Sequence, residues 1–189
     1  DLLNKQNASE VIIIEGARQV GKSYLVNDVL KKLGKPYKSF DLEKSATLLG
    51  QISRTEDFRD FRQLMQDQYG VKPGMVLFLD EAQEAPGLAG YIKSFKEDWP
   101  EVKVLLTGSS MNRLFDAHTR IPVGRTKSLC VYGFSFFEFL RFVHGPELAR
   151  FLKSAPDEIE PSRHAFLLKK FDDYFIIICE NNEQRNKAF

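Results

Sequence analysis

The residues best suited to chemistry in this sequence lie near its start. Gly16, Ala17, Arg18, Gln19, Val20, Gly21, Lys22 and Ser23 fit G-x-x-x-x-G-K-[ST], the pattern of a phosphate-binding loop. Its glycines let the backbone curl so that successive N–H groups point inward, and a following helix adds its positive end to the same anion cup. Lys22 is placed to reach the β- and γ-phosphates of a nucleoside triphosphate, and Ser23 to give its hydroxyl to Mg²⁺. With Tyr24, the candidate nucleotide-binding stretch is 16–24. Arg18 lies inside the loop, but such a loop works through its backbone, so no catalytic role is assigned to it.

A second group follows the apolar run Met75 to Leu79, which ends in Asp80-Glu81. Asp80 is expected to hold the Mg²⁺ shell. Glu81 is expected to orient and deprotonate an attacking water, a task that needs a carboxylate within reach of the γ-phosphate. Alone the pair would be weak, because acidic residues commonly close strands and cap helices. A third run, Val104 to Leu106, ends in Thr107-Gly108-Ser109-Ser110. Thr107 and Ser109 could sense the γ-phosphate or position the water, while Ser109 or Ser110 could equally cap a helix beginning near Met111. Arg125 could supply positive charge to a transition state, in its own site or a neighbour's, or be a surface arginine. His118, His144 and His164 share no ligand spacing with one another or with Cys130 and Cys179, which argues against zinc.

These residues need elements to hold them. Val11 to Glu15 is a continuous, mostly β-branched run, suited to a strand buried on both faces of a parallel sheet. Leu25, Val26, Val29, Leu30 and Leu33 then recur at helical spacing up to Gly34. A second strand is expected over Tyr37 to Leu42. Ser53 and Glu56 have capping-box spacing ahead of an apolar stripe Phe58, Phe61, Leu64, Met65, Tyr69. Leu88 to Trp99 reads as a helix, Val102 to Leu106 as a strand, Lys127 to Tyr132 as a fifth strand and Phe134 to Val143 as an aromatic helix. Strands alternating with helices predict an α/β fold with a parallel sheet. From Gly145 the pattern changes, with a connecting stretch over 155–161 and a helix over Ser162 to Tyr174. The expected division is therefore 1–144 and a helical tail, 145–189.

Bulk properties bound the partners. A chain of 189 residues with 43% hydrophobic and 28% charged residues suits one full globular domain and a tail. The net charge of +1 gives no general basic surface, so a nucleic-acid partner is not indicated by charge. The longest apolar run, Tyr174 to Cys179, is far short of the roughly 20 residues that span a bilayer. Together with two cysteines at no metal or disulfide spacing, this makes a cytoplasmic protein the expectation. Because the chain opens at Asp1 and stops shortly after an apolar segment, whether it is a piece of something longer is left open.

With these segments named, the chain resembles a prokaryotic family of AAA-like P-loop ATPases in which an N-terminal AAA domain precedes a C-terminal domain of unknown function. The resemblance rests on GARQVGKSYL at 16–25, FDLE at 40–43, FLDEAQ at 78–83, LLTGSS at 105–110, GR at 124–125 and FSFFEFL at 134–140. It implies a sheet of strand order 5-1-4-3-2 flanked by helices, a catalytic glutamate at Glu81 beside the aspartate Asp80, and a sensor strand ending at Thr107. ATP and Mg²⁺ are the ligands it implies. The further candidate partners are a C-terminal domain or another protein, and the oligomeric state is left open. Gly133 departs from the family's usual proline. No N-K-x-D motif for guanine follows the sensor strand, so ATP hydrolysis is expected, with Lys22, Ser23, Asp80 and Glu81 as the working set and Arg125 and Thr107 as further catalytic candidates. The alternatives are a nucleotide-gated switch or scaffold with negligible turnover, and a small-molecule kinase using the same loop.

Overall fold

The structure, a computed structural model, describes residues 10–109, 124–154 and 158–186, with side chains as far as residue 175. The chain divides into two compact units, residues 1–132 and 133–189.

The first unit is a five-stranded parallel sheet. Its strands are β1 (Val11–Glu15), β2 (Tyr37–Asp41), β3 (Val76–Asp80), β4 (Lys103–Gly108) and β5 (Thr126–Cys130), in spatial order β2-β3-β4-β1-β5. This is the expected 5-1-4-3-2 order read from the other edge. Strands β1, β3 and β4 are interior and almost wholly apolar, as burial on both faces requires. Period-two alternation sorts their side chains between the faces. Val11, Ile13, Leu77, Leu79, Val104 and Leu106 join one core; Ile12, Ile14, Val76, Phe78 and Leu105 join another.

Helices cover both faces. The second core is closed by α1 (Lys22–Leu33), through Val26 and Leu30. The first is closed by α2 (Ala46–Ile52), α3 (Phe58–Asp67) and α4 (Leu88–Glu97), whose Ile52, Phe61, Met65, Ile92 and Phe95 are buried together with Trp99. Fully burying one such large side chain contributes about 1.5–3 kcal/mol. The Phe58 ring meets Phe95 and Trp99 edge-on, and the Arg62 guanidinium lies over Trp99 at 5.8 Å.

One local expectation changes. The Ser53/Glu56 box does not form: Ser53 ends α2, its hydroxyl donating back to the Leu49 carbonyl at 2.8 Å. Asp57 caps α3 instead, accepting from the Asp60 N–H at 2.9 Å, which starts the helix later. The helix expected near Met111 lies outside the described residues, as does His118.

The second unit is helical: α5 (Phe136–His144), α6 (Pro146–Lys153) and α7 (Pro161–Asn186). Ser135 and Glu138 form a reciprocal capping box at the start of α5. That pairing holds the Glu138 carboxyl below its ordinary value, chiefly through the Ser135 N–H. Gly145, where the sequence suggests a boundary, joins α5 to α6 inside this unit. Leu140, Ala149 and Leu167 form its small core, and the Tyr174 hydroxyl donates to the Phe134 carbonyl at 2.7 Å. No helix among the described residues is long and apolar enough to cross a membrane.

Candidate nucleotide site at the carboxyl edge of the sheet

A parallel sheet gathers the carboxyl ends of its strands along one edge, where open α/β folds bind ligands. Here β1 runs out into the loop 16–21 and re-enters as α1 at Lys22. The loop's backbone is bent as an anion cup requires: Gly16, Gln19 and Gly21 all have positive φ, at 153°, 62° and 88°. Gly16 is required for a second reason. A Cβ there would stand 2.1 Å from the Val131 carbonyl oxygen, on the segment that hydrogen-bonds Glu15 from β5. Gly16→Ala must therefore pry β5 from β1 while adopting a strained φ. A loss of about 2–4 kcal/mol is expected in denaturant unfolding; a loss below roughly 0.5 kcal/mol would show that the loop is not packed this way.

Lys22 is 4% exposed although it carries a charge. Its ammonium donates to the Gly16 carbonyl at 3.0 Å and the Ala17 carbonyl at 2.8 Å, folding over the mouth of the loop. A buried cation at a helix N-terminus, with no acidic residue in the first turn of α1, is an arrangement that favours an anionic ligand. Ser23 follows in the same turn and is half-buried. Tyr24, the last residue of the candidate stretch, is 80% exposed. Arg18 reaches sideways to Glu43, beyond the end of β2.

Register brings the acids to the same place. Leu79 pairs with Leu106, so Asp80 lies level with Thr107, and Thr107 pairs with Ile14, two residues before Gly16. Asp80 is thus two strand spacings, about 10 Å, from the strand that feeds the loop. Level residues on parallel strands share a face, and Ile14 packs on the α1 side. Asp80 and Thr107 accordingly project toward the face that carries the phosphate loop. Asp80 is 6% exposed, and its Oδ1 accepts from the fully buried Thr107 hydroxyl and from the Glu81 N–H, the latter at 3.1 Å. A carboxylate fixed by two donors is pre-oriented for a cation. The Thr107 hydroxyl proton is engaged by Asp80 in this structure.

Glu81 turns sharply, at φ 52° and ψ 49°. Its Oε2 accepts from Gln83 Nε2 and lies 3.5 Å from Ser109 Oγ, at the end of β4. Gln83 Oε1, by contrast, is buried without a hydrogen-bond partner among the described residues, an arrangement that costs about 1–3 kcal/mol. At the next strand Asp41 pairs in register with Asp80 and holds Lys44 by its backbone N–H and its ammonium. The hydrogen bond to Asp41 is the main cause that raises Lys44 above the ordinary lysine value, with Asp80 and Glu43 adding smaller attractions.

Arg125 is not part of this group. Its carbonyl accepts from the Val11 N–H at the start of β1, and its guanidinium pairs with Glu97 at the end of α4, at 3.0 and 3.1 Å. That is the amino edge of the sheet, about 13 Å of strand rise from the loop. Within its own chain, Arg125 does not reach the phosphate cup. Arg125→Ala is expected to leave the nucleotide affinity of a dilute, monomeric sample unchanged and to shift stability by no more than about 1 kcal/mol, as for a screened surface pair. A tenfold loss of affinity in an equilibrium titration would contradict this placement.

Gln83, Glu43 and Asp41 carry contacts that motif spacing does not signal, since each is defined by a partner on another element. Among the described residues no cluster of three or more His, Cys, Asp or Glu is arranged to hold a metal by itself. The chemistry of Ser23 and Asp80, hard oxygen donors beside a phosphate cup, fits a Mg²⁺ shared with phosphate oxygens.

The chain belongs to the AAA domain family, whose model matches residues 8–140. It is therefore a P-loop domain of a nucleotide-binding family. Among solved structures, a Walker-type ATPase of Pyrococcus abyssi is similar with a TM-score of 0.52 and 18% identity, over 97% of this chain and 72% of that one. PCH-2 of C. elegans aligns with a TM-score of 0.49 and 15% identity, over 82% of this chain and 43% of that one. Cdc6p of Pyrobaculum aerophilum aligns at 0.49 and 13%, over 75% and 43%. The chain thus spans less than half of the latter two proteins. Only the likeness to the Pyrococcus abyssi protein, at a TM-score of 0.52, speaks for the fold, and for the fold alone. No curated protein matches the chain.

Proposed function

We propose that this domain binds ATP with Mg²⁺ and hydrolyses it by in-line attack of water on the γ-phosphate. The observation that carries the reading is the convergence of the buried Lys22 ammonium, folded over its own loop, with the buried Asp80 carboxylate on the same edge and face of the sheet.

In this reading the amides of 16–23 and the N-terminus of α1 cradle the phosphates, and Lys22 exchanges its loop carbonyls for phosphate oxygens. Ser23 Oγ and the Asp80 carboxylate would hold Mg²⁺, which when bound supplies charge neutralisation at the terminal phosphates. Thr107 keeps Asp80 in position. Glu81, adjacent to Asp80, takes a proton from the attacking water. Arg125 would contribute only from a neighbouring copy.

The test is release of inorganic phosphate from ATP by the chain, with Mg²⁺ and with chelator, alongside a search for phosphorylated small molecules. Mg²⁺-dependent free phosphate supports the reading. Phosphorylated product in its place points to a kinase, and tight ATP binding without any product points to a nucleotide-gated switch.

A further inference from the structure

Beyond Glu81 the chain passes at once into a 3-10 turn, Ala82–Glu84, and Gln83 folds back from it onto Glu81. The direction of the carboxamide follows from chemistry: turned over, Gln83 Oε1 would face a carboxylate oxygen, and only Nε2 can donate. In that orientation Oε1 is the buried acceptor without a partner among the described residues. A methionine of similar length would fill the same space without an orphaned acceptor. Packing therefore does not explain a carboxamide at this position; the donor does.

What the donor holds is unusual in itself. Glu81 occupies the left-handed region, which a residue with a side chain adopts at a cost and keeps only when its surroundings fix it. Its N–H is tied to Asp80 Oδ1 and its Oε2 to Gln83, with the Ser109 hydroxyl a longer 3.5 Å from the same oxygen. Main chain and side chain are thus restrained from both ends.

We propose that Gln83 is a positioning residue for the reaction. By occupying Glu81 Oε2 it fixes the carboxylate so that Oε1 is the oxygen left to accept the proton of the attacking water. The proposal rests on the hydrolytic reading above. Gln83 acts through Glu81 and does not touch nucleotide, and a misplacement of the base by about 1 Å suffices for a loss near a hundredfold.

The test compares Gln83→Met, which keeps length and removes the donor, with Gln83→Glu, which sets a second carboxylate against the first. Gln83→Met is expected to lower kcat by about ten- to a hundredfold. The dissociation constant for a fluorescent ATP analogue should stay within about twofold, and the melting temperature should change little, because the orphaned acceptor and the bond to the Glu81 carboxylate are lost together. Gln83→Glu should lose at least as much turnover. A parental kcat in Gln83→Met overturns the proposal. So does a loss confined to affinity, or a lowered melting temperature that accounts for the loss of activity. Glu81→Gln, measured alongside, separates the two levels. If it slows turnover and Gln83→Met does not, only the role of Gln83 fails. If the parental chain releases no phosphate, or Glu81→Gln turns over normally, the hydrolytic reading falls and takes this one with it.

Discussion

Lys22→Ala is expected to weaken ATP binding by about ten- to a hundredfold and to remove nearly all turnover that remains. The ammonium is buried and donates to the carbonyls of Gly16 and Ala17. A charge-assisted hydrogen bond of this kind is worth about 1.5–3 kcal/mol, and each 1.4 kcal/mol is tenfold in affinity. On the proposed hydrolytic reading the larger effect falls on kcat, since Lys22 would then sit where negative charge develops, and losing such a preorganised group costs about 10²–10³. The unliganded fold also suffers, because two loop carbonyls lose a donor, and about 1–3 kcal/mol of stability should go with it. Titration with a fluorescent ATP analogue, single-turnover phosphate release and denaturant unfolding separate the three effects. Unchanged affinity in a folded Lys22→Ala protein would mean that the loop does not hold phosphate.

The strands and the loop were legible because each is a local signal. Val11 to Glu15, Val76 to Asp80 and Lys103 to Gly108 are short apolar runs buried on both faces, and the glycine-lysine spacing between the first strand and its helix has a single mechanical meaning. Helix starts were less legible where two caps compete. Ser53-x-x-Glu56 and Asp57-x-x-Asp60 are both plausible N-termini by spacing; the hydroxyl of Ser53 is used to end α2, leaving Asp57 to begin α3. The eight-residue α6 begins at Pro146, beside the glycine that marked a change of pattern. It is too short to show a sustained period.

Candidate site residues can be named from the sequence one by one, but their arrangement cannot. Asp80 and Glu81 follow from their strand, yet their distance from the loop depends on the register of three parallel strands, which no spacing encodes. The same register moves Arg125 to the far edge, because a residue ahead of a parallel strand and a residue after one lie at opposite ends of the sheet. The contact of the Thr107 hydroxyl with Asp80 is likewise absent from the spacing, since it joins the ends of two different strands. Gln83 was visible in FLDEAQ, but its contact with Glu81 exists only once the chain turns.

Glu81→Gln is the change that discriminates between an enzyme and a switch. Glutamine keeps the length, the volume and one acceptor oxygen, and its backbone preference at φ 52° is close to that of glutamate. Folding and nucleotide affinity should therefore stay within about twofold of the parent, because the carboxylate is not among the groups assigned to the phosphates. What disappears is the ability to take a proton. General-base catalysis contributes about 10²–10⁴, so kcat should fall by that factor while the binding constant holds. A protein that works by holding ATP and not by splitting it would show no parental turnover to lose, and its behaviour would be indifferent to this substitution. If instead Glu81→Gln abolished nucleotide binding, the carboxylate would belong to the binding set. The division of labour between Asp80 and Glu81 would then be reversed, with Asp80, held by Thr107 on the face of the phosphate loop, left as the group nearer the attacking water.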